Sequence, residues 1–167
     1  MKQTSCYFQS SSHSSRIFLN LQRTLAYDAV IVLFPAKYDE IKACKNALKF
    51  ARAILGIIKE VINPMFKIYE LPEISVRIGL TYGYTLVVLY GNNSEKAPVD
   101  IIGSSISLAS KILSIAKPNH VLVGECVYNI LRLSAPINDG KFIEINLDRT
   151  KWKYISHFDP ESMYHVY

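Results

Sequence analysis

The chain has 167 residues, of which 50% are apolar and 20% are charged. A chain of this length can bury roughly 70% of the surface that its unfolded form exposes, which is enough for one ordinary core and argues against a disordered or repeat protein. Nineteen basic and 14 acidic residues give a net charge of +5, less than the dense basic surface of a dedicated nucleic-acid-binding protein. Cys6, Cys44 and Cys126 are odd in number and far apart, so we expect neither a disulfide framework nor a cysteine metal cluster, and a cytoplasmic location. The longest apolar runs, residues 29–34 and 54–58, are too short to span a membrane.

The first 15 residues have an unusual composition, with six serines, one lysine and no acidic residue. We interpret residues 1–15 as a disordered tail or a misread start, because the stretch has neither the arginines of a transit peptide nor the apolar segment of a secretory signal. Residues 16–167 are then expected to form a single domain.

The remaining chain alternates between strand and helix patterns. Residues 74–81 alternate apolar and polar side chains, which is typical of a half-buried strand. Residues 40–62 carry apolar side chains at three- or four-residue spacing, which predicts an amphipathic helix that Asn63 and Pro64 end. Interleaved helices and strands predict an α/β or α+β sandwich, with the sheet on one side and the helices on the other. The predicted elements are strands 16–25 and 29–34, helix 40–62, strands 74–81 and 84–90, helix 101–115 capped by Ser104 or Ser105, strand 121–123, helix 125–133 and further strands from 142 to the end.

Common catalytic motifs are absent from the sequence. It has no G-x-x-x-x-G-K-[ST] phosphate loop, no G-x-G-x-x-G and no G-x-S-x-G nucleophile elbow. The four histidines, His13, His120, His157 and His165, do not have metal-ligand spacing.

Five short segments nevertheless occur in an order that carries a resemblance. They are Tyr27-Asp28, residues 76–83 (VRIGLTYG), residues 99–103 (VDIIG), residues 106–111 (ISLASK) and residues 116–123 (AKPNHVLV). In order and spacing they resemble the catalytic domain of the class III nucleotide cyclases, the adenylate and guanylate cyclases.

The resemblance implies a fold and a reaction. The fold is a ferredoxin-like βαββαβ sandwich of the α+β class, with a mostly antiparallel sheet and helices packed on it. The reaction converts ATP or GTP to a cyclic nucleotide and pyrophosphate, with two Mg²⁺ or Mn²⁺ ions held by two aspartates. Too few residues precede Asp28 to supply the family's first strand and helices, so we expect these to be missing from this sequence. We then expect a gap in the sheet that makes the lone chain marginally stable or self-associating.

The family's site residues can be matched to positions in this sequence one by one. Asp28 matches the second metal aspartate, and no residue matches the first. Asp100 matches the position that accepts a hydrogen bond from the adenine amino group, which favours ATP. Thr24 stands where the family has a base-reading lysine, with Arg23 beside it as a substitute.

The helix residues that orient the ribose and neutralise the phosphates are also changed. The family has Asn and Arg four residues apart, and this sequence has Ser107 and Lys111. Serine keeps a hydroxyl with a shorter reach, and lysine keeps the charge but lacks the planar guanidinium. Each matched residue also has a purely structural interpretation: Asp28 as a turn residue, Asp100 as a favourable charge before a helix, Lys111 as a solvated surface charge.

Three functional hypotheses follow. The first is a cyclase that is weak or inactive as this chain alone. The second is a non-catalytic nucleotide-binding or dimerising regulatory module, and the third, an RNA-binding domain, lacks a recognition motif. The resemblance implies a nucleoside triphosphate as ligand and either a homodimer or a heterodimer with an intact cyclase domain, without nucleic acid or a membrane span.

Overall fold

The computed structural model describes residues 4–10, 20–21, 30–35, 39–89, 99–134 and 142–167. Among them, no helix is both long enough and apolar enough to cross a bilayer. The elements in chain order are β1 (Thr4–Ser10), β2 (Asn20–Leu21), β3 (Val30–Pro35), α1 (Glu40–Ile57), a π-helical segment (Ile58–Ile62), α2 (Asn63–Ile68), β4 (Val76–Tyr84), β5 (Leu86–Leu89), β6 (Val99–Ile102), α3 (Ser104–Ile115), β7 (His120–Val123) and α4 (Glu125–Ser134).

The main sheet has five strands and is mostly antiparallel. Its path is β2-β4-β1-β3, and β7 pairs with β4 in the parallel direction. The strand β1 lies between β3 and β4, with Cys6 opposite Phe34 on one side and Tyr82 on the other. The expectations of a tail at residues 1–15 and of a gap at the centre of the sheet are therefore wrong for Thr4–Ser10. These residues form a strand because two neighbours offer backbone partners along both of its edges.

The helices cover both faces of the sheet. Successive residues of β4 point to opposite faces: Ile78 and Leu80 pack with α1 and α4, whereas Gly79 and Thr81 lie against α3. The expected arrangement, with all helices on one side, is wrong in this respect. One core lies between the sheet and α1 and α4, and a second lies between α3, β7 and the C-terminal segment around Trp152.

The first helical region continues beyond the predicted stop. Asp39 caps α1 by accepting the backbone N–H of Lys42 at 2.8 Å. Asn63 and Pro64 do not end the region, because the backbone widens into the π-helical segment and Asn63 donates its N–H to Ile58. Pro64 then occupies the first turn of α2, where the missing N–H of proline costs little.

Other predicted boundaries differ by a few residues. The predicted strands 74–81 and 84–90 correspond to β4 and β5, and the predicted helix 125–133 corresponds to α4. The predicted strand 16–25 is described only at Asn20–Leu21, which pairs with β4, and its other residues lie outside the described residues. From residue 142 onward the described chain forms two isolated β-bridges, Gly124 with Val166 and Ile155 with Met163, where strands were expected.

Candidate functional site

The helix that carries two of the predicted site residues lies very close to the sheet. A Cβ on Gly79 of β4 would be 3.0 Å from the carbonyl oxygen of Ala109 and 3.1 Å from the backbone nitrogen of Leu113. The glycine allows the α3 backbone to approach the strand without a side chain between them. The position of α3 is thus set by backbone-to-backbone packing.

Side-chain hydrogen bonds fix the start of the same helix. The Ser105 hydroxyl donates to the carbonyl oxygen of Tyr84 at 3.0 Å, and the Thr81 hydroxyl donates to the carbonyl oxygen of Ser105 at 3.2 Å. Gly103, which precedes α3, also approaches Tyr84 closely, since a Cβ there would be 2.8 Å from the same carbonyl oxygen. The first turn of α3 is therefore tied to the end of β4.

Ser107 and Lys111 lie on the outer face of α3. The buried face consists of Ser105, Leu108, Ala109, Ile112 and Leu113. Ser107 and Lys111 are exposed, and neither side chain makes a hydrogen bond or ion pair with another described residue. Residues four apart on a helix are neighbours, with Cβ atoms about 5–6 Å apart. The structure thus brings these two predicted residues together on an open surface.

Asp100 lies in a strand and not at a helix start. It belongs to β6, where it is opposite Val88 of β5, and α3 begins only at Ser104. The predicted helix start at residue 101 is wrong, because Val99–Ile102 pairs with β5 along its whole length. Asp100 therefore precedes α3 on a hairpin strand whose end is fixed by the close approach of Gly103 to Tyr84.

The other predicted site residues are not described by the structure. Asp28, Thr24 and Arg23 all lie between β2 and β3, outside the described residues. Asp28 is two residues before Val30, the first residue of β3.

The segment up to β3 contains a single carboxylate for a site that uses two. At the carboxyl end of β1, Gln9 and Ser10 lie opposite Ile31 and Val30 of β3, and no Asp or Glu precedes Asp28 in the sequence. Glutamine and serine are neutral, whereas Mg²⁺ and Mn²⁺ sites use carboxylate oxygens. One carboxylate, Asp28, is the most that the segment up to β3 can supply.

A different polar cluster was missed by the sequence analysis. The carboxylate of Glu125 at the start of α4 is only 2% exposed, and it accepts hydrogen bonds from the C-terminal segment. The donors are the backbone N–H groups of His157 and His165 at 2.6 and 3.0 Å and the Ser156 hydroxyl at 3.1 Å. These partners are 31 to 40 residues away along the chain, so residue spacing could not predict the cluster. The adjacent residues Glu125 and Cys126, both of metal-ligating type, were its one visible sign in the sequence.

A cleft of about 530 Å³ lies away from the predicted residues. It runs between α1, β7 and the C-terminal segment, and its lining includes the basic residues Arg52 and Lys117 and the imidazole of His120. Neither Ser107 nor Lys111 lines it, but Ile115 at the end of α3 does.

Comparison with known proteins identifies the family. Residues 26–157 match the model of the adenylate and guanylate cyclase catalytic domain. The chain belongs to this family. The matched range includes Asp28, Asp100, Ser107 and Lys111, whereas Arg23 and Thr24 lie just before it. The predicted family and the α+β cyclase fold are thus confirmed.

A curated relative and two solved structures show how distant the known cyclases are. The cytidylate cyclase of Escherichia coli is 25% identical over 119 residues, 67% of this chain, and the chain spans 25% of the length of that relative. The adenylyl cyclase CyaB from P. aeruginosa has a TM-score of 0.63 at 15% identity, covering 99% of this chain and 92% of that one. A non-canonical dimeric guanylyl cyclase domain of the RhoGC fusion protein from the aquatic fungus Blastocladiella emersonii has a TM-score of 0.59 at 15% identity, covering 99% of this chain and 94% of that one. At these identities the two structures support the fold alone.

Proposed function

We propose that this chain is a cyclase domain of cyclic-nucleotide signalling that binds a nucleoside triphosphate and is weak or inactive in cyclisation on its own. The observation that carries the proposal is the position of β1. It pairs with both β3 and β4, so no other strand has room between them to bring a metal aspartate to that place. Its carboxyl end offers Gln9 and Ser10, which leaves Asp28 as the one matched metal ligand.

The outer face of α3 supports a role in binding phosphate. In the family reaction the ribose 3′-oxygen attacks the α-phosphorus and pyrophosphate leaves, so negative charge has to be neutralised along the phosphates. Lys111 offers an ammonium group and Ser107 a hydroxyl donor from one exposed surface, and neither is occupied by another described side chain. The lysine acts as a point charge, which orients phosphate less firmly than an arginine does.

Base selection by Asp100 favours ATP. A carboxylate accepts a hydrogen bond from an exocyclic amino group. Adenine and cytosine present such a group, whereas guanine has a carbonyl oxygen at the equivalent edge. The curated relative is named a cytidylate cyclase, so CTP is the second nucleotide to test. Arg23 and Thr24 are proposed to contact the same base.

A dimer would supply what the lone chain lacks. We propose that it forms a homodimer or a heterodimer with an intact cyclase domain; the non-canonical dimer of the RhoGC guanylyl cyclase domain supports association between domains of this fold. In the heterodimer the partner contributes the metal-binding aspartates, and this chain contributes Asp100, Ser107 and Lys111. If the partner gains no activity from this chain, the second candidate, a non-catalytic nucleotide-binding or dimerising module, replaces the first. The same lack of carboxylates in β1 favours it.

The experiment measures binding and turnover separately. Cyclic nucleotide formation from ATP, CTP, GTP and UTP is assayed with Mg²⁺ or Mn²⁺, for the lone chain and for its mixture with an intact cyclase domain. We expect little or no product from the lone chain, loss of any residual activity in Asp28→Ala, and a gain in Ser107→Asn/Lys111→Arg, which restores the family pair.

Lys111→Ala provides the binding test. Loss of a charge-assisted hydrogen bond should weaken nucleotide binding roughly ten- to hundredfold. Lys45→Ala is the matched control, because Lys45 is an exposed lysine on α1, on the opposite face of the sheet. Equal binding by both variants, or turnover by the lone chain as fast as by a cyclase with both aspartates, contradicts the proposal.

A further inference from the structure

Three side chains of metal-ligating type meet where the C-terminal segment crosses the start of α4. The ligand atoms of Glu125, Cys126 and His157 all lie within 4.8 Å of one another. This cluster is distinct from the nucleotide-binding residues proposed on β6 and α3, and it offers one oxygen, one sulfur and one nitrogen ligand.

The carboxylate of the cluster is held in place before any ion arrives. Its Oε1 atom accepts the backbone N–H of His157 at 2.6 Å and the Ser156 hydroxyl at 3.1 Å, and its Oε2 atom accepts the N–H of His165 at 3.0 Å. Outer hydrogen bonds of this kind orient the ligating carboxylates of metal sites. Glu125 is therefore held in one orientation, and an ion bound through Oε1 would take the place of the Ser156 hydroxyl, the longer of the two bonds to that atom.

The spacing between the histidine and the carboxylate suits a tetrahedral ion. His157 Nδ1 lies 3.6 Å from Glu125 Oε1. Two ligand atoms at about 2.0–2.1 Å from a tetrahedral zinc ion lie roughly 3.3–3.4 Å apart. The His157 side chain is 63% exposed, which allows it the small movement required and gives the ion a path from solvent.

A buried hydroxyl beside the cluster lacks a regular partner. Tyr164 is 1% exposed, and no described group makes a hydrogen bond of normal geometry with its hydroxyl. The hydroxyl lies against the Cys126 thiol and Gly124, and its ring packs edge-on against the His157 ring with centroids 5.7 Å apart. The Tyr164 hydroxyl thus adds a fourth polar atom beside the Cys126 thiol.

We propose that Glu125, Cys126 and His157 bind one divalent ion of the zinc class, with water or the Tyr164 hydroxyl as the fourth ligand. Zinc accepts sulfur, nitrogen and oxygen ligands together. The ion joins α4 to the C-terminal segment, so its role is to stabilise that packing. Burial and the nearby Glu125 carboxylate raise the pKa of the Cys126 thiol to about 11, so the ion has to displace the thiol proton on binding.

Cobalt provides a direct probe, because a thiolate bound to Co²⁺ gives a charge-transfer band in the near ultraviolet. The metal-free full chain is titrated with Co²⁺ and then with Zn²⁺ as competitor, and its thermal midpoint is recorded with and without Zn²⁺. We expect one ion per chain, a thiolate band that Zn²⁺ abolishes, and a higher midpoint with Zn²⁺.

Two variants and two controls identify the ligands. Cys126→Ser should abolish the charge-transfer band, and His157→Ala, a change at an exposed side chain, should weaken binding at least tenfold. Cys44→Ala and His120→Ala are the controls, because Cys44 is buried in the other core and His120 is exposed at the start of β7. A full-strength band in Cys126→Ser, unchanged affinity in His157→Ala or no Zn²⁺ effect on the midpoint would overturn the proposal.

Discussion

Gly79 of β4 packs directly against Ala109 of α3, because a Cβ on Gly79 would lie only 3.0 Å from the Ala109 carbonyl oxygen. Both sides of this contact are backbone atoms, so no side chain can change its rotamer to relieve a clash. The outer face of α3, with Ser107 and Lys111, therefore keeps a fixed height above the sheet. The geometry of the proposed phosphate-binding surface therefore depends on Gly79, which lies in the sheet against the inner face of α3.

Substitution of this glycine tests the close contact. Gly79→Ala should lower the free energy of unfolding by about 1–3 kcal/mol, because the added methyl group forces α3 away from β4. Gly56→Ala is the matched control, since Gly56 is in α1 with nothing within 4 Å of an added Cβ. There alanine should stabilise the helix by about 0.5–1 kcal/mol. Urea unfolding measures both, and a Gly79→Ala protein as stable as the parent contradicts the packing described here.

The buried carboxylate at the start of α4 should be much more important for stability than an exposed one. Glu125→Gln places an amide NH₂ against N–H and O–H donors that now point at carboxylate oxygens, so at least one donor loses its acceptor. We expect a loss of about 3 kcal/mol in the metal-free protein, at the upper end for a hydrogen bond to a charged group.

The control for this carboxylate is Glu161→Gln, because the side chain of Glu161 is exposed. Surface changes of this kind usually stay within about 0.5 kcal/mol. Urea unfolding in the presence of a chelator makes the comparison, and equal stability of the two variants would show that the hydrogen bonds to Glu125 are not formed.

The left-handed residue before β7 permits a ranked test. Asn119 has φ = 60°, its Oδ1 accepts the N–H of Val76 at 3.1 Å, and its own N–H donates to the Val76 carbonyl oxygen at 2.6 Å. Asn119→Gly keeps the backbone freedom but loses the side-chain hydrogen bond, which should lower the free energy of unfolding by about 0.5–1.5 kcal/mol. Asn119→Ala should cost about 1–2 kcal/mol more, because alanine disfavours positive φ.

In urea unfolding we expect the parent to be the most stable, Asn119→Gly to be less stable and Asn119→Ala to be the least stable. Asn146→Ala, at an exposed asparagine of the C-terminal segment, should leave the unfolding midpoint unchanged. An alanine variant at least as stable as the glycine variant at position 119 argues against the left-handed conformation.

Local sequence patterns predicted the elements whose periodicity reflects burial. The apolar repeat of α1 was visible because that helix buries one face. The alternation of β4 was visible because Ile78 and Leu80 face α1 and α4, whereas Gly79 and Thr81 face α3. The strand β1 was hidden because its serine-rich surroundings resemble a tail, and only β3 and β4 together make it a strand.

The candidate site likewise contains residues that local spacing predicts and residues that only tertiary structure brings together. Ser107 and Lys111 share a helix face, so their spacing of four placed them together without tertiary information. Glu125 and His157 meet only through the C-terminal segment, whose return to Gly124 is a tertiary event that no local pattern encodes. The continuation of the helix past Pro64 was missed for a related reason, since a π-helical turn accommodates proline in a way that propensity does not predict.

A turn in the C-terminal segment makes a prediction about pH. The carboxylate of Asp148 accepts the Thr150 hydroxyl at 2.7 Å and the Thr150 N–H at 2.9 Å, and these bonds hold the pKa of Asp148 below its usual value of 3.8. A depressed pKa means that the ionised form is favoured in the folded state. Its contribution to stability is therefore present above pH 3.8 and is lost as the pH falls through the folded-state value.

The Asp148 carboxyl can be titrated directly by NMR. Thr150→Val removes the hydroxyl but keeps the N–H, so it should raise the pKa of Asp148 part of the way towards 3.8. Lys151→Ala is the control: the Lys151 ammonium lies 3.7 Å from the carboxylate but is 85% exposed and contributes least, so this change should shift the titration much less. A larger shift in Lys151→Ala than in Thr150→Val would mean that charge, and not the threonine hydrogen bonds, sets the acidity of this turn.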